Sequence, residues 1–455
     1  MVANARPGMT APGAPREGAG AVGQGSTDLG PGLMERRLYI PRITDCGAEA
    51  MAAALRSVGI DTVVLPPPDA RTLDLGARHL AGEECLPAKV TLSEFLKVTE
   101  APGFEPARTA FMMPTTEGPC RFGQYAVHLK AVLASIGYPE VTVLSPTSEN
   151  GYQGLGELAG VFVRTAWRAL VAGDILLKLL LKTRPYELEP GSADQAYEAA
   201  LDDLCRTLEV PYAAAGEQMQ ALKASLVRAR ERFRRLPARY DPERPLIGIV
   251  GEIFCRLNTF SNDEVVRRLE EHGAEAWMSD ISEWVWYTNS EQRRRWRLEG
   301  RSFSLAMLGA RLRARYQRRD EHELVKLLAD DFRGYEEPED ISVVLRYAEP
   351  YLPAAGALGE MVVNLGKSVY LARRGVDGIL DISPFTCMNG IVCEAIYPRV
   401  SADLGGIPIR NFYFDGTQAE LDRDLGIYVE LARSYRARKP FPRTYPACFP
   451  APAPA

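Results

Sequence analysis

The alternation of short apolar runs with amphipathic stretches is the sequence feature that most constrains this fold. In the first part of the chain, apolar runs alternate with segments whose apolar residues recur at helical spacing. The runs are "RRLYIPRIT", "DTVVLPPP", "ARTAFMMPTT" and "EVTVLSP". Strands separated by helices pair in parallel, because each crossover returns the chain to the same edge of the sheet. The pattern predicts a Rossmann-like domain with a doubly wound parallel sheet over residues 36–155.

The same alternation resumes later in the chain and predicts a second Rossmann-like domain over residues 244–440. Its apolar runs are "RPLIGIVGEIF", "AEAWMSD", "VDGILDISPF" and "IPIRNFYFDG". Residues 156–243 are amphipathic with a period of 3.6 and indicate a helical connector. An Arg-rich stretch at about 290–335 indicates a helical insertion in the second domain. The predicted fold class is therefore α/β, with two doubly wound domains joined by helices.

The two ends of the chain and its overall charge narrow the classes of function. Residues 1–35 are rich in Gly, Ala and Pro without the apolar segment of a signal peptide, which predicts a disordered leader, and residues 441–455 form a Pro-rich tail. The longest apolar run, from Leu170 to Leu181, is shorter than the roughly 20 residues that span a bilayer. A formal net charge of −5 gives no general attraction to nucleic acid or anionic membranes. We expect a cytoplasmic protein that binds neither.

Three of the eight cysteines occupy the same kind of position. Cys120 and Cys387 each lie between a predicted strand and the start of a helix, and Cys85 lies in a loop at a helix start. Ligands of open α/β sheets bind at the carboxyl ends of the strands, which is this edge. A chain without an export signal is not expected to form disulfides, so these thiols are buried, catalytic or metal-ligating residues.

The positive potential of a helix N-terminus favours a thiolate or an anionic cluster. We therefore expect the three thiols to have lowered pKa values and to be presented rather than buried. Their separations of 35 and 267 residues match no local zinc or ferredoxin spacing. Two interpretations therefore remain open. The three cysteines form a metal or iron-sulfur site, or they fill loop-helix junctions as small apolar residues. Cys255 also follows a predicted strand, and it is either a fourth ligand or a residue that lines the site.

Four other segments carry weaker signals. The letters of "NLGKS" (364–368) and "GLGELA" (154–159) suggest nucleotide binding, but neither has the context of such a motif, and ordinary structural roles are favoured. The aromatic "SEWVWYTN" (282–289) indicates core or interface, with stacking on a flat ligand as the alternative. The run "RRRWR" (293–297) indicates a solvated helix face, with docking of an acidic partner as the alternative.

The cysteine motifs together resemble one known family. The segments "GEECLPAK", "MPTTEGPCRFGQY", "LIGIVGEIF" and "LGKSVYLARRGVDGILDISPFTCMNG" are similar to iron-sulfur proteins related to 2-hydroxyacyl-CoA dehydratase components. More closely, the chain resembles the C-terminal part of the large CoA-substrate-specific enzyme activase-related proteins. The resemblance extends over about residues 37–438.

This resemblance implies a cofactor, a ligand set and a partner. It implies a four-iron four-sulfur (4Fe-4S) cluster, or in some relatives a double cubane, held by Cys85, Cys120 and Cys387. It also implies a separate ATP-dependent activator protein that delivers low-potential electrons, and assembly as a homodimer or with a related dehydratase-type subunit.

The implied activity is the reduction or dehydration of a small substrate, which is CoA-linked in relatives. The chain would act either as a reductase or as a component of a radical lyase of the dehydratase type. Two alternatives remain: a non-catalytic subunit that bears a cluster or assists another enzyme, and a metal-free, flavodoxin-like binding module.

Overall fold

A computed structural model describes residues 31–116, 120–146, 159–355, 357, 359–417 and 420–450. Most of the expected leader, up to residue 30, lies outside these residues. So do residues 154–158 of the "GLGELA" segment and the last five residues of the tail. The chain is an α/β protein with two four-stranded parallel sheets flanked by helices, an architecture compatible with two Rossmann-like domains.

The first sheet has the strand order β2-β1-β3-β4, with every pair parallel. Its interior positions carry apolar side chains such as Leu38 and Phe111, which are fully buried. The strands are β1 (Arg37–Ile40), β2 (Thr62–Val64), β3 (Thr109–Met112) and β4 (Thr142–Leu144). The helices that accompany them are α1 (Asp45–Arg56), α2 (Ala70–Ala77), α3 (Leu86–Thr99) and α4 (Tyr125–Ser135).

Three long helices follow the first sheet: α5 (Ala159–Thr183), α6 (Ser192–Glu209) and α7 (Ala215–Arg234). The apolar run from Leu170 to Leu181 lies within α5 and is largely buried. Its two charged residues are also partnered, because Asp174 accepts hydrogen bonds from the backbone amides of Ile281 and Ser282, and Lys178 pairs with carboxylates. Among the described helices, none combines the length and the apolar character needed to cross a membrane.

The second sheet has the order β6-β5-β7-β8 and repeats the topology of the first. Its strands are β5 (Leu246–Gly251), β6 (Glu275–Met278), β7 (Gly378–Pro384) and β8 (Ile409–Phe414). The helices are α8 (Ile253–Leu257), α9 (Val265–Glu271), α10 (Ile281–Leu298), α11 (Leu305–Val325), α12 (Ile341–Ala348), α13 (Glu360–Arg373), α14 (Met388–Asp403) and α15 (Leu421–Arg436).

In each sheet the first strand has the second strand on one side and the third on the other. The two central strands are therefore β1 and β3 in the first sheet and β5 and β7 in the second. The chain leaves the two strands of each pair in opposite directions, which opens a crevice at their carboxyl ends, where ligands of doubly wound sheets bind. Gly251 ends β5 at this edge with a φ of +125°. A side chain there would collide with the backbone of Ile382 on β7, so only glycine allows the strands to stay close as the chain turns toward Glu252.

Residues 364–368 ("NLGKS") lie in the middle of α13 and not at a strand-to-helix turn. Gly366 packs against the backbone of Val344, where any side chain would clash. Lys367 is fully buried and pairs with Glu283 at 2.8 Å and with Glu337. The glycine thus serves helix packing and the lysine serves an internal ion pair, in agreement with the structural role favoured from the sequence.

Candidate functional site

Each of the three cysteines is the N-cap residue of a helix. Cys85 precedes α3 and Cys387 precedes α14. Cys120 precedes a short 3-10 helix, Arg121–Gln124, that leads directly into α4. All three have extended backbone conformations, as N-cap residues do. The position predicted for these residues, at helix N-termini, is the observed one.

The three cysteines line one cavity of about 1250 Å³. Its walls come from the carboxyl ends of strands in both sheets, so the two ligand-binding edges contribute to the same space. The lining segments include Pro41 after β1, Thr115 after β3, Glu252 after β5 and Thr386 after β7. Residues 85, 120 and 387 are far apart in the chain, and the topology brings them together.

A direct hydrogen bond joins two of the cysteine-bearing turns. The guanidinium of Arg121, next to Cys120, donates from Nη1 to Oγ1 of Thr386, next to Cys387, at 3.0 Å. Thr386 has a φ of +65°, a left-handed conformation that is costly for a residue with a branched side chain. The contact therefore holds the turn before Cys387 against the turn after Cys120.

Tyr125, the first residue of α4, connects the third cysteine to the same structure. Its Oη lies 2.7 Å from Sγ of Cys85, a hydrogen-bonding distance. Because Tyr125 follows Arg121 by one helical turn, a single short segment contacts the Cys85 sulfur on one side and Thr386 on the other. The three cysteine-bearing segments thus belong to one continuous set of contacts.

The expected lowering of the thiol pKa values is wrong. Burial is the largest effect on each thiol and raises the pKa of Cys85, of Cys387 and of Cys120, the last to about 11. The nearby carboxylates of Glu252 and Glu360 act in the same direction. The helix amides do lower these pKa values, but by less than desolvation raises them. Without a bound metal, the three groups are thiols at neutral pH.

The expectation that the thiols are presented rather than buried holds only in part. Cys120 is exposed and Cys387 is half-buried, whereas Cys85 is 9% exposed. Cys85 is covered because the first turn of α3 packs into the core with Leu86 and Pro87. The cavity is therefore lined by one exposed, one half-buried and one buried cysteine, and even at the exposed Cys120 enough protein surrounds the thiol for desolvation to raise its pKa.

Two glutamates that were not singled out from the sequence also line the cavity. Glu252 caps α8 and accepts hydrogen bonds from the backbone amides of Phe254 and Cys255 at 3.1 and 2.7 Å. Glu360 accepts from the backbone amide of Ile253 at 3.0 Å. Burial, and next the charge of Glu252, raise the pKa of Glu360 well above its usual range. Glu252 directly follows a buried strand and could have been noticed, but nothing in the local sequence connects it to Glu360.

Asn389, in the first turn of α14, also faces the site. It is 5% exposed, and its Oδ1 accepts no hydrogen bond from the described residues. It lines the cavity beside Cys387. A buried amide oxygen without a donor is costly, so this atom is suited to a hydrogen bond from a bound group.

The remaining wall of the cavity is mostly apolar. It is formed by side chains such as Met51 from α1, Phe162 and Trp167 from α5, and Trp284 and Tyr287 from α10. Drug-sized ligands fill pockets of about 300–1,000 Å³, so the space exceeds what a cofactor bound only at the thiols would need. The aromatic segment 282–289 therefore contributes both to packing, through Tyr287, and to the cavity wall.

The donor set can be compared with the chemistry of metals. Among the described residues, no three His, Cys, Asp or Glu side chains are grouped so that they could hold a metal ion, which counts against a preformed mononuclear site. A polynuclear cluster keeps its ligand sulfurs farther apart than one ion does. Three thiols at separate helix N-termini around a cavity, with soft sulfur donors and nearby amides, fit an iron-sulfur cluster better than a hard cation.

The other cysteines lie away from the cavity lining. Cys255 is fully buried in α8 and packs in the apolar core of the second sheet. Cys393 is buried in α14 and its Sγ donates to the carbonyl of Met361. Cys46 is buried in α1, Cys205 is half-buried in α6, and Cys448 is exposed near the C-terminus. Five of the described cysteines follow strands or begin helices at this edge. Cys85, Cys120 and Cys387 line the cavity, whereas Cys46 and Cys255 do not.

Comparison with known proteins adds no family to this description: no protein-family model matches the chain, and no curated protein matches it. The resemblance carried by the cysteine motifs therefore stays a prediction.

Proposed function

We propose that this chain is an iron-sulfur redox protein whose cluster is held by Cys85, Cys120 and Cys387. The observation that carries the proposal is that these three N-cap cysteines line one cavity, with two of their turns joined by the bond between Arg121 and Thr386. A 4Fe-4S cluster fits this set, and a double cubane is the larger alternative. When bound, such a cluster supplies single electrons at low potential and a coordination position open to exchange.

The protein's own residues provide the surroundings that this chemistry needs. The amides at three helix N-termini counter negative charge at the sulfurs. Tyr125 hydrogen-bonds the Cys85 sulfur and orients it. Burial, and next the charge of Glu252, raise the pKa of Glu360 well above its usual range, which favours the protonated form of this carboxyl group in the cavity. The mostly apolar wall lowers the polarity around the thiols, so charges beside it interact more strongly than they would in bulk water.

We further propose that a small substrate, CoA-linked in relatives, occupies the apolar remainder of the cavity and is reduced or dehydrated there. The electrons would come from a separate ATP-dependent activator, as the resemblance implies. Lys367, the lysine of the "NLGKS" segment, is an internal ion-pair residue. In this proposal the two sheets belong to two Rossmann-like domains, α5–α7 connect them, α10 and α11 form the insertion, and the protein works in the cytoplasm.

Anaerobic purification with iron and sulfide counts and EPR tests the cluster. The wild-type protein should carry about four irons, or about eight for a double cubane, and Cys85→Ser, Cys120→Ser and Cys387→Ser should each lose or alter the EPR signal. Cys205→Ser and Cys448→Ser are matched controls that should keep it. A wild-type protein without stoichiometric iron, or three site variants with intact clusters, would contradict the proposal. ATP-dependent turnover of a defined substrate then separates an enzyme from a non-catalytic cluster-bearing subunit.

A further inference from the structure

The outer face of α11 carries a row of large apolar side chains that contact solvent. Leu305 is 87% exposed and Leu308 is 63% exposed, and Leu312 continues the row one turn later. In the turn before α11, Phe303 is completely exposed, and Leu298, the last residue of α10, is largely exposed. We refer to Leu298, Phe303, Leu305, Leu308 and Leu312 as the α11 stripe. Single exposed leucines are common, but a contiguous row marks an interaction surface.

The geometry of α11 separates this stripe from the packing of the helix. The residues that α11 buries include Met307, Gln317 and Leu324, which lie on the opposite side. Leu305, Leu308 and Leu312 follow the spacing i, i+3 and i+7, which places them in one line along the outward face. The helix therefore has a second face that is suited to packing but has no described partner.

The surroundings of the stripe are strongly basic. Residues 290–320 contain ten arginines and three acidic residues, in a chain whose net charge is −5. Some of these arginines are neutralised, as in the pair of Arg294 with Glu291. Others form no ion pair with any described residue, namely Arg297, Arg311, Arg313, Arg315 and Arg319. The stripe is thus an apolar line inside an excess of positive charge.

We propose that the α11 stripe docks a protein partner that presents an apolar row flanked by Asp and Glu side chains. Complementary charge at the edge of an apolar contact fixes its register and accelerates encounter. Spacing of the i, i+3, i+7 kind is what a partner helix packs against, as in coiled coils and helix-in-groove complexes.

Two other occupants fit the surface less well. A second copy joined by a two-fold axis would bring the same arginines against each other, because both sides of such an interface are the same patch. A membrane surface needs a broad apolar face, whereas this stripe is one residue wide. After the third turn the same line is continued by Arg315 and Arg319.

The stripe adjoins the mouth of the thiol-lined cavity. Leu298 belongs to both, and Arg294 of α10 lines the cavity as well. A partner bound to the stripe would therefore stand next to the entrance. The docking surface does not depend on the proposed cluster. A variant that loses the cluster should therefore still bind the partner, and a variant that loses partner binding should still hold the cluster.

Binding of two designed helical peptides to the full-length protein tests the proposal. One peptide has Leu at the a and d positions and Glu at e and g, and its matched counterpart has Lys in place of Glu. Fluorescence anisotropy should detect binding of the Glu peptide, weakened about tenfold or more by Leu308→Glu and by raising the salt concentration from 50 to 500 mM. Leu188→Glu, at an equally exposed residue elsewhere, should bind normally.

Circular dichroism melting of each variant verifies that the fold is kept. Equal binding of both peptides, or unchanged binding by the Leu308 variant, overturns the proposal. Self-association in sedimentation velocity that is abolished by Leu308→Glu would also overturn the proposal, because a second copy of the chain would then be the occupant. Flotation with vesicles of phosphatidylcholine and phosphatidylserine that requires the stripe would instead assign it to a membrane.

Discussion

The thiols of Cys85, Cys120 and Cys387 keep their protons because burial outweighs the amides of three helix N-termini. A metal or cluster must then displace protons on binding, which makes loading dependent on pH. The sequence could indicate the helix N-termini, since these follow from local patterns. It could not indicate the burial of the thiols or the nearby charges of Glu252 and Glu360, because both depend on segments that are distant in the sequence.

Cys120 offers a direct test of this balance. Its pKa of about 11 lies above the value of 9.0 for an unperturbed thiol, so the folded chain should react slowly with iodoacetamide at pH 8 and progressively faster up to about pH 11. In the chain unfolded by urea, the same cysteine should reach its full rate of reaction with iodoacetamide at a pH about two units lower. Mass spectrometry of the peptide that contains Cys120 measures both rates in the metal-free protein.

The sign of the effect on stability follows from the same pKa. Below pH 9 the thiol is protonated in the folded and unfolded chains, and between pH 9 and 11 the unfolded chain ionises first, so the free energy of unfolding falls. Cys120→Ser should lack this part of the pH dependence. A folded-state rate that levels off at or below pH 9 would contradict the raised pKa.

Tyr125 should tune the electronic properties of a cluster bound at Cys85. Tyr125→Phe removes one hydrogen bond to a ligand sulfur, and such bonds favour the reduced cluster. For a bond of about 0.5–1.5 kcal/mol, the reduction potential should fall by roughly 20–65 mV in an EPR-monitored redox titration. Tyr138→Phe, whose ring packs on Phe104, should leave the potential unchanged. An equal potential in wild type and Tyr125→Phe would show that the hydroxyl does not contact a ligand sulfur.

Helices α5, α10 and α13 meet in a buried network of charges, which no local pattern predicts. Lys367 of α13 pairs with Glu283 of α10, Lys178 of α5 pairs with Asp280 at 3.2 Å, and Glu337 contacts both lysines. The two lysines lower the pKa of Glu337 to about 2 despite its burial. The strands, in contrast, were predictable because each is a short apolar run, as "LIGIV" is for β5.

Removal of Lys367 should therefore damage stability and not nucleotide chemistry. Lys367→Met leaves Glu283 buried without its cation, and we expect the free energy of unfolding to fall by about 3–5 kcal/mol in urea denaturation. Lys326→Met is the matched control, because that lysine pairs with Glu323 at the surface and its removal should leave the free energy of unfolding nearly unchanged. A loss below 1 kcal/mol for the Lys367 variant would mean that the network is not a buried ion pair in solution.

The C-terminal segment connects distant parts of the protein. Residues 441–450 form neither helix nor strand, yet Arg443 is buried and donates to Glu275 of β6 at 2.7 Å. Phe449 packs against Tyr186 and Tyr240 with ring centroids 5.3 and 4.9 Å apart. Its Pro-rich composition predicted the lack of regular structure. The composition could not predict the packing, because the partners lie up to 263 residues earlier in the sequence.

Truncation after residue 440 should consequently destabilise the protein. The deletion leaves Glu275 without its buried cation and exposes the two tyrosine rings, so we expect a loss of about 3–5 kcal/mol in the free energy of unfolding. Removal of residues 451–455 alone is the control and should have little effect. Equal stability of both truncated chains and the full chain would contradict a structural role for Arg443.

The bond between Arg121 and Thr386 also constrains how the protein matures. It joins turns that are 265 residues apart, so the space around the three thiols does not exist until both are made. For the proposed cluster, insertion must therefore wait until Cys387 has been synthesised, and a nascent chain paused before residue 387 is expected to accept no cluster.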